Sequence, residues 1–172
     1  MSKPCHCPVR RPAGYLAPIV LGLNDALVEL TGALAGFTMV LPDCRLIFLA
    51  GLTTGLAATL SMAAAEYLSL QGEGRGLVPW KGAAFTGSAY LITVVLLLLP
   101  FMLFVKPLSA LIVCLLTGAF IIMIFSFFES RLRKLSFRRI CAQMLIVSFG
   151  VVAISFCLSW LADKWWGIGL QL

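Results

Sequence analysis

Apolar and polar residues are sorted into blocks along this chain rather than interleaved. Five apolar runs stand out: Tyr15 to Val40, Arg45 to Leu70, Gly82 to Val105, Leu108 to Phe128 and Ile140 to Asp163. About 20 apolar residues suffice to cross a hydrocarbon core about 30 Å thick at about 1.5 Å per residue, and every run reaches that length. The stretches between them, "PDC", "QGEGRGLVPWK", "KP" and "ESRLRKLSFRR", are short, which forces neighbouring helices to run antiparallel. The pattern predicts an all-α integral membrane protein with five transmembrane helices. They occupy residues 15–165, between an N-terminal tail of residues 1–14 and a short C-terminal end of residues 166–172.

Composition agrees. Only 12% of the 172 residues are charged and 61% are hydrophobic, whereas soluble domains carry roughly a quarter charged residues. The first apolar run is too long for the core of a cleaved signal peptide and reads as a retained helix. The net charge of +6 raises nucleic acid as a partner, but the basic residues sit at the ends of the apolar runs, where the partner is the lipid bilayer.

Those positions set an orientation. With the N-terminus in the cytoplasm, Lys3, Arg10, Arg11, Arg75, Lys81, Arg131, Arg133, Lys134, Arg138 and Arg139 fall on the cytoplasmic side. Arg45, Lys106 and Lys164 remain on the other, so the positive-inside rule gives N-in and C-out. Trp160, Trp165 and Trp166 fit an interfacial belt at the outer end of the fifth helix. Cys114, Cys141 and Cys157 fall inside helices as small apolar fillers. The "CHC" of residues 5–7 offers too few ligands in a tail for a strong metal site.

One helix breaks the pattern. "GLNDALVELTGALAGFTMV" places Asp25 and Glu29 one turn apart inside an apolar span. Asp25 lies about 15 Å deep, near the midplane, where a charge costs about 2.5–3.5 kcal/mol on insertion scales. No lysine or arginine lies at that depth in any of the five segments. A salt bridge therefore does not explain the acids; a proton or a bound cation does.

Periodicity sharpens this. At about 100° per residue, Gly22, Asp25, Glu29, Gly32 and Gly36 share a face about 80° wide. The second helix carries a matching stripe of Gly51, Gly55, Ala58, Met62 and Glu66. Running antiparallel, it brings Met62 close to the depth of Asp25, with Glu66 nearer the cytoplasm. Glycines at this spacing admit a close helix neighbour, and the expectation is that the two stripes face one another. Carboxylate oxygens with a thioether sulfur suit a first-row transition ion better than magnesium or calcium. The set Asp25, Glu29, Met62 and Glu66 thus reads as a metal site for Fe²⁺, and less exclusively for Mn²⁺.

At these residues the sequence resembles the vacuolar iron transporter family. "GLNDALVELTGALAG" is similar to that family's opening motif, and "AGLTTGLAATLSMAAAEYLS" to its second-helix signature. The similarity runs more loosely through "TGSAYLITVVLLLLPF" into the last two helices. The resemblance implies a five-helix protomer working as a homodimer, with a path between subunits along which divalent iron or manganese leaves the cytosol in exchange for protons. It also implies that Asp25 and Met62 line the path, with Glu66 as the signature's glutamate. Ala26 and Ala65 stand where the family pattern has glycine, as in a shorter prokaryotic branch in which Glu29 is also at home. Plant members hold a glutamate-rich metal-collecting domain between helices two and three; here that position is "QGEGRGLVPWK", with Glu73 its sole acid.

The expected function is a secondary transporter of Fe²⁺, extending to Mn²⁺, out of the cytoplasm, in a prokaryotic plasma membrane. The metal is cargo, and no permanently bound cofactor is expected. The alternatives are a passive cation channel using the same acids and a membrane scaffold whose glycines only pack helices. An enzyme is not expected: the sole histidine, His6, lies in the tail, and no G-x-x-x-x-G-K-[ST] stretch is present.

Overall fold

The computed structural model describes residues 14–73, 77–133 and 136–166. They form five helices, α1 (Leu16–Val40), α2 (Cys44–Glu73), α3 (Pro79–Leu103), α4 (Pro107–Arg133) and α5 (Phe137–Trp166). Each is long and apolar enough to cross a membrane, which makes the chain a multi-pass integral membrane protein. The Cys5-His6-Cys7 tail motif and residues 167–172 lie outside the described residues.

The helices outrun the apolar segments that announced them. α2 continues through Gln71 to Glu73, and α3 begins at Pro79 rather than Gly82. α4 extends to Arg133, and α5 begins at Phe137 and reaches Trp166. Polar residues at a span's end cost nothing to the helix itself, because the backbone ladder continues into the interfacial layer while hydropathy falls. Much of "QGEGRGLVPWK" and "ESRLRKLSFRR" is therefore helical rather than connecting.

Local chemistry sets the breaks. Leu41 is extended ahead of Pro42 and ends α1. Asp43 then accepts a hydrogen bond from the Arg45 N–H through its carboxylate at 3.0 Å, which starts α2. Pro79 and Pro107 open α3 and α4, where the missing N–H leaves no helical bond unmade.

α1 is the hub, packed by all four other helices, while α2 lies mainly on α3 and α5 mainly on α1. The core is apolar: Leu27, Leu30 and Leu34 of α1 meet Val94, Leu97 and Leu98 of α3, with Cys114 of α4 and Met144 of α5. The outer surface is equally apolar. Leu60 is 72% exposed, Ile92 61%, Leu116 65% and Ile146 72%, a belt that in water would drive aggregation and that lipid covers. Trp160 and Trp165 are exposed near the end of α5, with the Lys164 ammonium 5.5 Å from the Trp160 ring centroid. Among the described cysteines none is in a disulfide; Cys44, Cys114 and Cys141 are buried and Cys157 is exposed.

One end of the bundle gathers the start of α1, the α2–α3 and α4–α5 connections and Lys81, Arg131, Arg138 and Arg139; it is called the basic end below. Tyr15 fastens α1 there: its ring packs on Phe85 at 5.1 Å and its hydroxyl accepts the Val78 N–H at 3.2 Å.

Helix backbones approach tightly at Gly22, where a Cβ would overlap the Thr86 backbone carbonyl of α3. Beside it the Thr86 hydroxyl donates to the Pro18 carbonyl at 3.1 Å. Backbone does not move aside as a flexible side chain does, so Gly22→Ala is expected to destabilise the protein by about 1–3 kcal/mol. Gly150→Ala meets nothing within 4 Å and is expected to be neutral or stabilising by up to about 1 kcal/mol. Unfolding curves of the two variants in the same detergent check the contrast.

Candidate metal site

Asp25 and Glu29 are the tenth and fourteenth of the 25 residues of α1, so both sit mid-helix. All the lysines and arginines of the described residues lie at or near helix ends: Arg45, Lys81, Lys106, Arg131, Arg133, Arg138, Arg139 and Lys164. The two acids thus share a depth at which the described residues supply no lysine or arginine.

The glycines flanking them are occupied by different helices. Gly22, toward the basic end, seats against α3 at Thr86. Gly32 and Gly36, beyond the acids, seat against α5: a Cβ on Gly32 would lie 2.7 Å from Val151 Cγ1, and one on Gly36 3.1 Å from Ser159 Oγ. Between these two covered ends the stripe is open, with Asp25 half-buried and Glu29 exposed on the protomer surface. An exposed carboxylate in the middle of a membrane helix is the least expected feature of the surface.

The expectation that the two glycine stripes face one another needs correction within the protomer. Gly55 of α2 packs on Val94 of α3, and Gly51 on Leu98 of α3 together with Leu34 of α1. Small residues mark where a helix comes close but do not identify which helix. α3 takes that place against both, since Thr86 and Gly87 leave it slim where α1 and α2 cross it: Gly22 meets Thr86, and a Cβ on Gly87 would lie 3.2 Å from the Ala63 Cβ.

α3 also serves as a common ruler. Gly22 and Glu29 meet it at Thr86 and Tyr90, and Thr59 and Ala63 meet it at Gly87. Asp25 and Met62, which lie within those intervals, therefore occupy one level of the bundle. Met62 is half-buried against the core. Glu66 is one turn further, about 6 Å along the axis, buried at 9% exposure beside Gly82 and Leu70. Convergence is another matter: among the described residues no three histidine, cysteine, aspartate or glutamate side chains come together closely enough to hold a metal ion. Asp25, Glu29 and Glu66 do not form one cluster inside a single protomer.

Two functional groups escape a reading of the sequence. Tyr90 of α3, fully buried, donates its hydroxyl to Glu29 Oε2 at 2.8 Å. It sits inside the apolar run "AYLITVVLLLLPF", where one hydroxyl barely changes hydropathy. The available signal was depth: Tyr90 is the twelfth residue of α3 and Glu29 the fourteenth of α1, and the two helices run parallel. Glu129, buried at 7% exposure near the basic end of α4, is hidden in sequence by the arginines that follow it.

A groove without acids lies elsewhere. About 690 Å³ in volume, it runs along α1 beyond the acids, lined by Gly32, Gly36, Phe37, Ala50, Ser155 and Ser159. Two hydroxyls and no carboxylate are a poor match for a divalent ion, so this groove is a weaker candidate for a metal than the acids.

Mid-span carboxylates with no basic residue at their depth among the described residues mark a candidate functional site in this five-helix bundle. Residues 16–75, a range that contains α1 and α2, match the model of the VIT family. That part of the chain, its first two helices, is similar to the vacuolar iron transporter family. No curated protein matches the chain. The likeness of this region is to a family of membrane metal transporters.

Proposed function

We propose that the protein is a secondary transporter that moves Fe²⁺, and with it Mn²⁺, out of the cytoplasm in exchange for protons. The observation that carries the reading is the pair Asp25 and Glu29, held mid-span and open to the surface, with no basic residue at their depth among the described residues. Such acids need a positive partner, and a transported ion supplies one transiently.

Asp25 and Met62 form the central level of the path, with Glu29 and Glu66 on either side. The pairing of carboxylate with thioether favours a first-row transition ion over magnesium or calcium. In one protomer the acids do not converge and the stripe is open; a homodimer that apposes two such stripes doubles the ligands and removes Glu29 from lipid. The basic end is the cytoplasmic one, in keeping with the positive-inside rule, and Glu66 is the acid nearer to it. Carboxylates that bind metal must be free of protons, so loading and proton release are linked at the same oxygens. An acidic exterior then favours unloading, and no nucleotide is needed.

Fe²⁺ uptake into inside-acidic proteoliposomes tests this. Asp25→Asn keeps the shape and removes the charge, and flux is expected to fall at least about tenfold, equivalent to about 1.4 kcal/mol. Met62→Leu keeps the volume and deletes the sulfur; it is expected to shift the Fe²⁺/Mn²⁺ preference a few-fold while flux persists. Flux in the parent that ignores the proton gradient would indicate a channel. Absence of both flux and metal binding by titration calorimetry would leave only a scaffold.

A further inference from the structure

We propose that Tyr90 is a positioning residue for metal binding, which holds the Glu29 carboxylate by one oxygen so that the other is presented to the ion. The inference rests on the transporter reading above and extends it to a residue outside the four expected ligands.

The geometry is specific. The Tyr90 hydroxyl donates to Glu29 Oε2 at 2.8 Å, a hydrogen bond that ties α3 to the acid stripe. The Tyr90 ring is fully buried in the core with Val94 and Leu97 of its own helix and Leu27 and Leu30 of α1. The donor is therefore fixed by packing, whereas the acceptor belongs to an exposed side chain with three rotatable bonds. A rigid donor on a flexible acid sets the acid's direction before the ion arrives, and pre-setting a ligand is a recognised source of affinity. It also leaves Glu29 with one free oxygen, a single-point ligand that holds an ion without enclosing it, as conduction through a series of sites demands. Tyr90 itself contributes through Glu29.

The test is a double-mutant cycle on the full chain, with Mn²⁺ alone as the probe, measured by titration calorimetry and as the KM and maximal rate of proteoliposome flux. Tyr90→Phe removes one oxygen and keeps the ring. It is expected to weaken Mn²⁺ affinity and raise KM about three- to tenfold, with the maximal rate within about twofold. In the Glu29→Ala background the same substitution is expected to change neither quantity. Glu29→Asp, which keeps the charge on a shorter arm, is expected to reproduce the affinity loss of Tyr90→Phe. Parent-like affinity and KM in Tyr90→Phe would overturn the proposal, as would an equal loss with Glu29 already removed, since the hydroxyl would then act on packing alone. A parent protein that neither binds nor carries Mn²⁺ overturns the transporter reading itself, a result distinct from either.

Discussion

Two carboxyl side chains placed mid-span, in a helix bundle whose described basic residues all lie at or near helix ends, constrain everything else about this protein. Charge at that depth costs about 2.5–3.5 kcal/mol per residue on insertion scales, and a pair on one helix face adds mutual repulsion. A marginally stable bundle does not carry such a burden by accident. The structure shows how it is accommodated locally. Slim seats at Gly22 and Gly32 bring α3 and α5 tight against α1 on either side of the acids, and a buried tyrosine hydroxyl meets one of them.

That arrangement gives the central helix two jobs. Leu27, Leu30 and Leu34 anchor the shared core and make α1 the helix that every other one touches. The opposite face carries the acids and remains partly open. Rigidity on one side and accessibility on the other are what a translocation path requires, because ligands set on packed helices keep their geometry while the ion exchanges. On the proposed reading the open face meets its counterpart in a second subunit, and the ion passes where the two meet.

Much of the fold was legible in the sequence because hydropathy reports burial in lipid directly. All five spans were visible, and only their ends were misplaced, where polar turns such as Gln71 to Glu73 continue the helix beyond the apolar run. Periodicity revealed which residues share a face, and with depth it placed Asp25 and Met62 at one level. It did not reveal which helix covers that face. Gly22 and Gly55 both pack on α3 and not on each other's helix, a choice made by Thr86, Gly87 and Val94 that no single-helix pattern contains. Tyr90 was missed for a related reason: its significance comes from a contact between residues 61 positions apart.

The central claim is that a divalent transition ion occupies the level of Asp25 and Met62. Anomalous scattering at the manganese edge, from crystals of the purified protein soaked in Mn²⁺, tests it most directly. The account predicts a peak within coordination distance of the Asp25 carboxylate, beside Met62 Sδ and on the open face of α1. A map with Mn²⁺ only at the helix ends or in the tail, and none at that level, would contradict it.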